Sequence, residues 1–433
     1  MQYPQSTGEH MIRKHIKAEK TIAFLLGLLV SEGVSSAFSF GSTTFTLAEV
    51  LSPVFLFILC LRNPQGLSSF IRCVPLGFKL FFLAVILSII SGLAYFFSIE
   101  ILYRYAVGVI YLLIILTTAI DVFLLRNLRG DICKGLLVGL LANAAFSLVC
   151  YIAFQRGIVI TLREEVGRAA FFAPKSTFRS QGFFLEPSHF IRYVGTVVLI
   201  VLSSVRIRHS LVRYAIIAAA GASFILSYSG SLVILAAGLF IYWVGTINAN
   251  GGNRAKARPV TLLIVFAVLI FGILNMDGAA INNVFDFRET ADRIMNNADI
   301  TDVGNAERYE SMRAVLNHLL RHPDLAILGC GWNLTSTLIR YEHLGITAAF
   351  SDVLELFLET GVIGGMLYAC SLLLMSVRLW RLKSNYARAL SATLMIIFAL
   401  QIGTDYALNT GIMLVFGLAV GELAGERMAW HSA

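Results

Sequence analysis

Leu76-Gly-Phe-Lys-Leu-Phe-Phe-Leu-Ala-Val-Ile-Leu-Ser-Ile-Ile-Ser-Gly-Leu-Ala-Tyr-Phe-Phe97 has no charged residue after Lys79. A bilayer crossing needs about 20 mostly apolar residues, and this run supplies them. Similar runs recur along the chain. Over 433 residues, 57% are hydrophobic and 14% charged, with a mean hydropathy of +0.77. Soluble domains are roughly 45–50% apolar and about 25% charged. That excludes a soluble enzyme, a disordered chain and a disulfide-rich secreted module. An all-α polytopic membrane protein remains.

Twelve apolar segments predict twelve transmembrane helices, at about 21–39, 45–62, 76–97, 105–126, 134–154, 187–205, 211–228, 231–247, 259–276, 353–377, 386–404 and 408–425. They divide the chain into an N-terminal tail 1–20, helices 1–5 over 21–154, a loop 155–186, helices 6–9 over 187–276, a large loop 277–352, helices 10–12 over 353–425, and a C-terminal tail 426–433. The first run lacks a small-x-small cleavage site and reads as an uncleaved span.

The formal charge is +8, from 34 Lys and Arg against 26 Asp and Glu. In a membrane protein this reads first as topology, not as nucleic-acid binding. With the N-terminus inside, the inside connections collect the cations, as in Arg62, Arg72, Lys79 and in Arg378, Arg381, Lys383, Arg388. The short outside loops hold Arg104 alone. Both termini are therefore expected in the cytoplasm. The two long loops break the pattern, carrying Arg168, Lys175 and Arg179 in one and Arg308, Arg313 and Arg321 in the other. Long loops escape the charge rule and, when structured, are usually functional. Of the six cysteines only Cys330 falls in an outside loop, so no disulfide within the chain is expected there.

Three stretches can carry chemistry. In Arg179-Ser-Gln-Gly-Phe-Phe-Leu-Glu186-Pro-Ser-His189-Phe, Pro187 suits the first turn of a helix, which sets Glu186 near the cap. Free N–H groups there suit a phosphate. Arg192 lies at membrane depth, where an ionisable group is a functional candidate. The plainer alternative is a capped helix with Glu186 paired to Arg192. The second stretch, Asn305 to Pro323, reads as an amphipathic helix. Arg308, Met312, Val315 and Leu319 share one stripe at spacings of 4, 3 and 4, so Arg308 falls on the packed face. A guanidinium there takes a phosphate, a carboxylate or a structural salt bridge. His318 and His322 are four apart, without the Glu of a zinc-protease helix, and no metal site is expected. The third stretch puts Asp352, Glu355 and Glu359 on one face of a helix entering the membrane, followed by Gly361, Gly364 and Gly365. The glycines suit close helix packing. Glu32, Glu49 and Asp121 also lie at membrane depth without an obvious partner. Neither a P-loop nor an Asp-x-Asp nucleotide-sugar motif occurs.

These stretches, in this order, resemble the Wzy-type polysaccharide polymerases of the O-antigen ligase/polymerase superfamily. Glu186 to Phe190 resembles the family's Glu-Pro-Ser/Asn-x-Phe segment. Arg308, His322-Pro323 and Gly329-Cys330-Gly331 resemble its large-loop stretch. Leu354 to Gly364 resembles its Leu…Glu-x-Gly-x-x-Gly block, and Tyr228 to Ser231 a short Ser-rich turn. Ligases carry a His eleven residues before the first Gly of that block; here the position is Phe350, which favours a polymerase.

The resemblance implies a metal-independent membrane glycosyltransferase without cofactors. Its substrate would be undecaprenyl-diphosphate-linked oligosaccharide repeat units, at the periplasmic face of a bacterial inner membrane. Partners would be the bilayer and the pathway's flippase and chain-length regulator. Catalytic candidates are Glu186, His189 and Asp352. Diphosphate candidates are Arg179 and Arg308, then Arg168, Arg192 and Arg313. The alternatives are an O-antigen ligase-like transferase or a lipid-linked oligosaccharide flippase. Reporter fusions at Lys175 and Ala298 should be active only with periplasmic reporters; a cytoplasmic signal at either overturns the topology.

Overall fold

The computed structural model describes residues 6–31, 38–40, 43–95, 97–158, 160, 180, 182–184, 187–204, 210–227, 235, 238–240, 242, 303–335, 338–339, 351–382, 384–403 and 408–431. Its helices are α1 (Ser6–Leu29), α2 (Leu47–Arg62), α3 (Gly66–Cys73), α4 (Leu76–Tyr95), α5 (Ile99–Leu124), α6 (Arg129–Gln155), α7 (Pro187–Ser204), α8 (Ser210–Ser227), α9 (Val303–Arg321), α10 (Pro323–Leu328), α11 (Asp352–Arg381), α12 (Asn385–Gly403) and α13 (Thr410–His431). Strands β1 (Phe38–Phe40) and β2 (Thr43–Phe45) pair antiparallel, with Phe38 opposite Phe45.

Among the described residues five helices are long and apolar enough to cross a membrane: Leu76–Tyr95, Ile99–Leu124, Arg126–Gln155, Asp352–Arg381 and Asn385–Ile402. α2 and α3, bent by 110°, pass together as a sixth, and His189–Ser204 and Thr410–Gly425 are apolar but shorter. The outward sides of α4 are apolar too, with Leu83, Ile86 and Ile90 exposed. Such faces suit lipid, not water. The protein is a helical membrane protein. Of the expected spans, 259–276 and most of 231–247 lie outside the described residues.

The first expected span, 21–39, needs correction. α1 starts within the expected tail, at Ser6, and leaves the helical path after Leu29. Part of the remainder is β1, where Phe and Ser alternate as a strand prefers. Asn143, midway along α6, donates from Nδ2 to Ser31 O at 2.8 Å and to Gly139 O at 3.0 Å, so α1 ends halfway along the bundle. α2 begins at a similar depth. Its N-cap Thr46 and Glu49 form a capping box, and Tyr111 OH, near the middle of α5, donates to Glu49 Oε1 at 3.0 Å. Glu49 thus has its partners, and Asp121 has one too: Ser52 Oγ donates to Asp121 Oδ2 at 2.9 Å, tying α2 to α5.

Contacts fix the two ends of the bundle. At one end Arg62 meets Glu19, Arg129 pairs with Glu422 and lies over the Tyr386 ring, and Ser384 donates to Glu422. Ser204 reaches Cys133 there as well, so α7 ends where α6 and α12 begin. This end carries the basic short connections. The other end holds the starts of α5, α7 and α11, the end of α12, and α9–α10. α7 runs through the middle, packed on α6, α8 and α12, with every residue from Phe190 to Val201 buried.

α1 crosses α6 backbone against backbone where Gly27 meets Gly135, with Ala23 and Gly139 one turn away on their helices. A Cβ on Gly27 would strike Ile132 O, and one on Gly135 would strike Phe24 O. Small residues four apart permit this approach. Gly135→Leu should therefore lower the melting temperature in detergent sharply. Gly130→Ala, with open space at that position, should stay within about 1 kcal/mol of the parent.

Candidate functional site

The first block enters the bundle through a pinned turn. Ser180 N donates to Leu226 O at 2.7 Å, at the end of α8. Phe183 N donates to Asn143 Oδ1 at 2.7 Å, and the Phe183 ring stacks on Phe146. Gly182, at φ 54°, touches Asn143 and Phe190 so closely that a Cβ has no room. The fully buried Asn143 amide thus joins α1, α6 and this turn through both its ends. Sequence reading missed it; a lone Asn inside an apolar span was the available signal. Arg168, Arg179 and Glu186 lie outside the described residues. His189 is half-buried on the first turns of α7, and Arg192, 4% exposed, is fully within the packed helix.

The third block starts beside the end of α12. Ser351 Oγ caps α11, contacting Leu354 N, and donates to Ile402 O at 2.9 Å. Asp352 follows, buried at 3% exposure. α7 and α12 run antiparallel, tied where Thr393 Oγ1 donates to Thr196 O at 3.4 Å. From that tie, His189 is about 10 Å along α7 and Gln401 about 12 Å along α12, toward the same end. The fold therefore brings His189 and Asp352 to one level at one end of the bundle, with Arg192 a turn deeper.

The second and third blocks interlock. α11 is broken at Gly361, which sits at φ 71°, ψ 173°. That leaves the carbonyls of the preceding turn without helical partners. Cys330 N donates to Leu358 O at 2.8 Å and Gly331 N to Glu359 O at 2.9 Å, filling the gap from the large loop. The Glu359 carboxylate in turn accepts from Thr335 Oγ1 at 3.0 Å and Thr335 N at 3.3 Å, with the amides of Asn333 and Leu334 also directed at it. Tyr105 OH donates to Cys330 O at 2.6 Å, Trp332 Nε1 to Gly108 O at 3.2 Å and Asn333 Nδ2 to Arg104 O at 3.2 Å.

Gly329 and Gly331 need their positive φ of 84° and 108° and the absence of a Cβ: one would strike the α11 backbone, the other the Tyr105 ring. Gly361 thus breaks the helix and also gives the close approach expected of it, meeting the backbone of Ile327 and Gly329; Gly364 lies against Thr360 of its own helix and Ala84 of α4, and Gly365 against Phe357 of its own helix. Gly108 lies nine residues into α5, about 14 Å from its start. The stretch 329–335, expected as part of an outside loop, dips that far between α4, α5 and α11.

This joint seats α9. Val315, Leu319, Leu325, Cys330, Leu334 and Leu358 form one buried cluster with Ile101 and Tyr105 of α5. Val315 and Leu319 confirm the apolar stripe. Arg308 has the same register, but its side chain lies outside the described residues. Arg313 is exposed, on another side of α9. The His318 and His322 rings lie 4.6 Å apart. Among the described residues no three His, Cys, Asp or Glu side chains gather as a metal site.

No protein-family profile, curated protein or solved structure matches the chain.

Removing the Glu359 carboxylate strands buried donors, which costs about 1–3 kcal/mol each time. Glu359→Ala should lower the melting temperature in detergent clearly. Glu359→Gln, which keeps an acceptor for Thr335, should fall between it and the parent. Equal losses for both would show that charge, and not the hydrogen bonds, holds the joint.

Proposed function

We propose that the protein is a membrane glycosyltransferase that polymerises undecaprenyl-diphosphate-linked oligosaccharide units at the periplasmic face of a bacterial inner membrane. One observation carries the reading. The described parts of the three blocks that resemble the polymerases are far apart in sequence, yet they lie at one end of the bundle, and two of them interlock through Glu359 and Gly331. The basic connections gather at the opposite end, which supports a cytoplasmic side there and a periplasmic side at the blocks.

In this reading a hydroxyl of the incoming unit attacks C1 of the sugar at the reducing end of the growing chain. The C1–O bond to the diphosphate breaks, the new glycosidic C1–O bond forms, and undecaprenyl diphosphate departs. The hydroxyl proton passes to a base, with Glu186 the first candidate, then His189 and Asp352. A positioned base contributes about 10²–10⁴ in rate. Arg179 and Arg308, supported by Arg168, Arg192 and Arg313, stabilise the departing diphosphate. Preorganised cations are well suited to that charge. No metal or cofactor is required. The flippase and chain-length regulator of such a pathway are the proposed partners, and nucleic acid is not.

Lys keeps the charge of Arg but loses its two-pronged geometry. Arg308→Lys should therefore lose most polymer while the protein inserts at normal levels, and Glu186→Gln should abolish it. Parental polymer from both Arg179→Ala and Arg308→Ala would sink the diphosphate assignment.

A further inference from the structure

The apolar arc of α9 is wider than the surface the bundle covers. At 100° per residue, Val315, Leu319, Met312, Leu316 and Leu320 follow one another around about 140° of the helix. Val315 and Leu319 are buried against α5 and α10–α11. The remaining flank is bare: Leu316 is 47% exposed and Leu320 81%. α10 continues it with Ile327, 53% exposed, and Leu328. A water-facing helix would not carry this flank.

The joint fixes the level of the patch. Only Gly329 separates α10 from Cys330, whose carbonyl lies beside Gly92 near the last turn of α4 and accepts from Tyr105 of α5. α10 also packs on α4. Ile90 and Tyr95 of α4 are exposed, and Phe97 of the α4–α5 connection and Ile99 at the start of α5 are 78% and 87% exposed. The bare flank of α9–α10 is thus at the level where the apolar outer surface of two spanning helices ends. Arg313, exposed and about 20° beyond Leu320 around the helix, borders it on the polar side.

We propose that α9 and α10 form an interfacial foot, with Leu316, Leu320, Ile327 and Leu328 sunk among the lipid acyl chains and Arg313 at the phosphates. An amphipathic helix with an apolar face and a cation at its edge lies in a membrane plane in this way. The occupant is lipid and not a protein, because the patch continues a lipid-facing surface and its border is cationic. The foot also sets the height of the Arg308 register at the headgroups, where a lipid-linked diphosphate would sit; this last consequence alone rests on the proposed function.

The test uses the full chain with Cys60, Cys73 and Cys370 changed to Ser; the other three cysteines are buried. Leu320→Cys, Leu316→Cys and, on the polar side, Glu310→Cys are each labelled with an environment-sensitive nitrobenzoxadiazole dye. The proteins are placed in vesicles of phosphatidylethanolamine and phosphatidylglycerol. Labels at 320 and 316 should emit further to the blue than at 310. Shallow nitroxide lipids should quench them several-fold more, and aqueous iodide less. Iodide quenching equal to that at 310 would overturn the foot. So would shielding from both quenchers, which would mean a protein cover. The readout does not depend on whether polymer is made.

Discussion

The bilayer core offers no water to a broken helix, so each freed carbonyl and amide must find a partner inside the protein. The interruption of α11 at Gly361 is where this constraint is felt most. The carbonyls of Leu358 and Glu359 are taken by Cys330 and Gly331, and the Glu359 carboxylate takes Thr335. Leaving such groups unpaired would cost several kcal/mol in apolar surroundings. Once the large loop is pinned there, α10 lies on α4, α9 lies on the end of α5, and Asp352 stands at the end of α12.

The same rule explains the other irregular places. α1 stops at mid-depth because Asn143 accepts the task of bonding Ser31 O while holding the turn before α7. α2 starts at mid-depth because Thr46 and Glu49 cap it and Tyr111 holds Glu49. Each break thus has a polar side chain from a neighbouring helix, and those side chains sit in otherwise apolar runs.

Hydropathy was enough to read the class and most helices, because about 20 apolar residues have few other uses. It failed at 21–39, since an average over Phe, Ser and Gly does not tell a short strand from the end of a helix. The glycines of Gly329-Cys-Gly331 and Glu359-Thr-Gly361 were visible as unusual. That one pair plugs the other was not, because a contact between distant segments leaves no local period. Tyr105 and Trp332 were missed for that reason: each looks like an ordinary aromatic until its partner carbonyl is in place. For the site, the sequence pointed to one end of the bundle through Arg308, His189 and Asp352, and the fold brings the described portions there. The roles of Glu186 and the arginines rest on chemistry and resemblance.

A joint that holds α9 and α11 together while α7 stays packed in the centre is a rigid frame, and in the proposed reaction it would position two lipid-borne sugars and a departing diphosphate. Positioning of that kind matters where misplacement by about 1 Å can cost two orders of magnitude in rate. The most direct measurement is the lipid-linked oligosaccharide profile of cells from which the gene is deleted, with and without the restored chain. The account predicts single repeat units on undecaprenyl diphosphate at the periplasmic face, converted to long chains on restoration. Long chains persisting on the lipid carrier, or units retained on the cytoplasmic face, would contradict it.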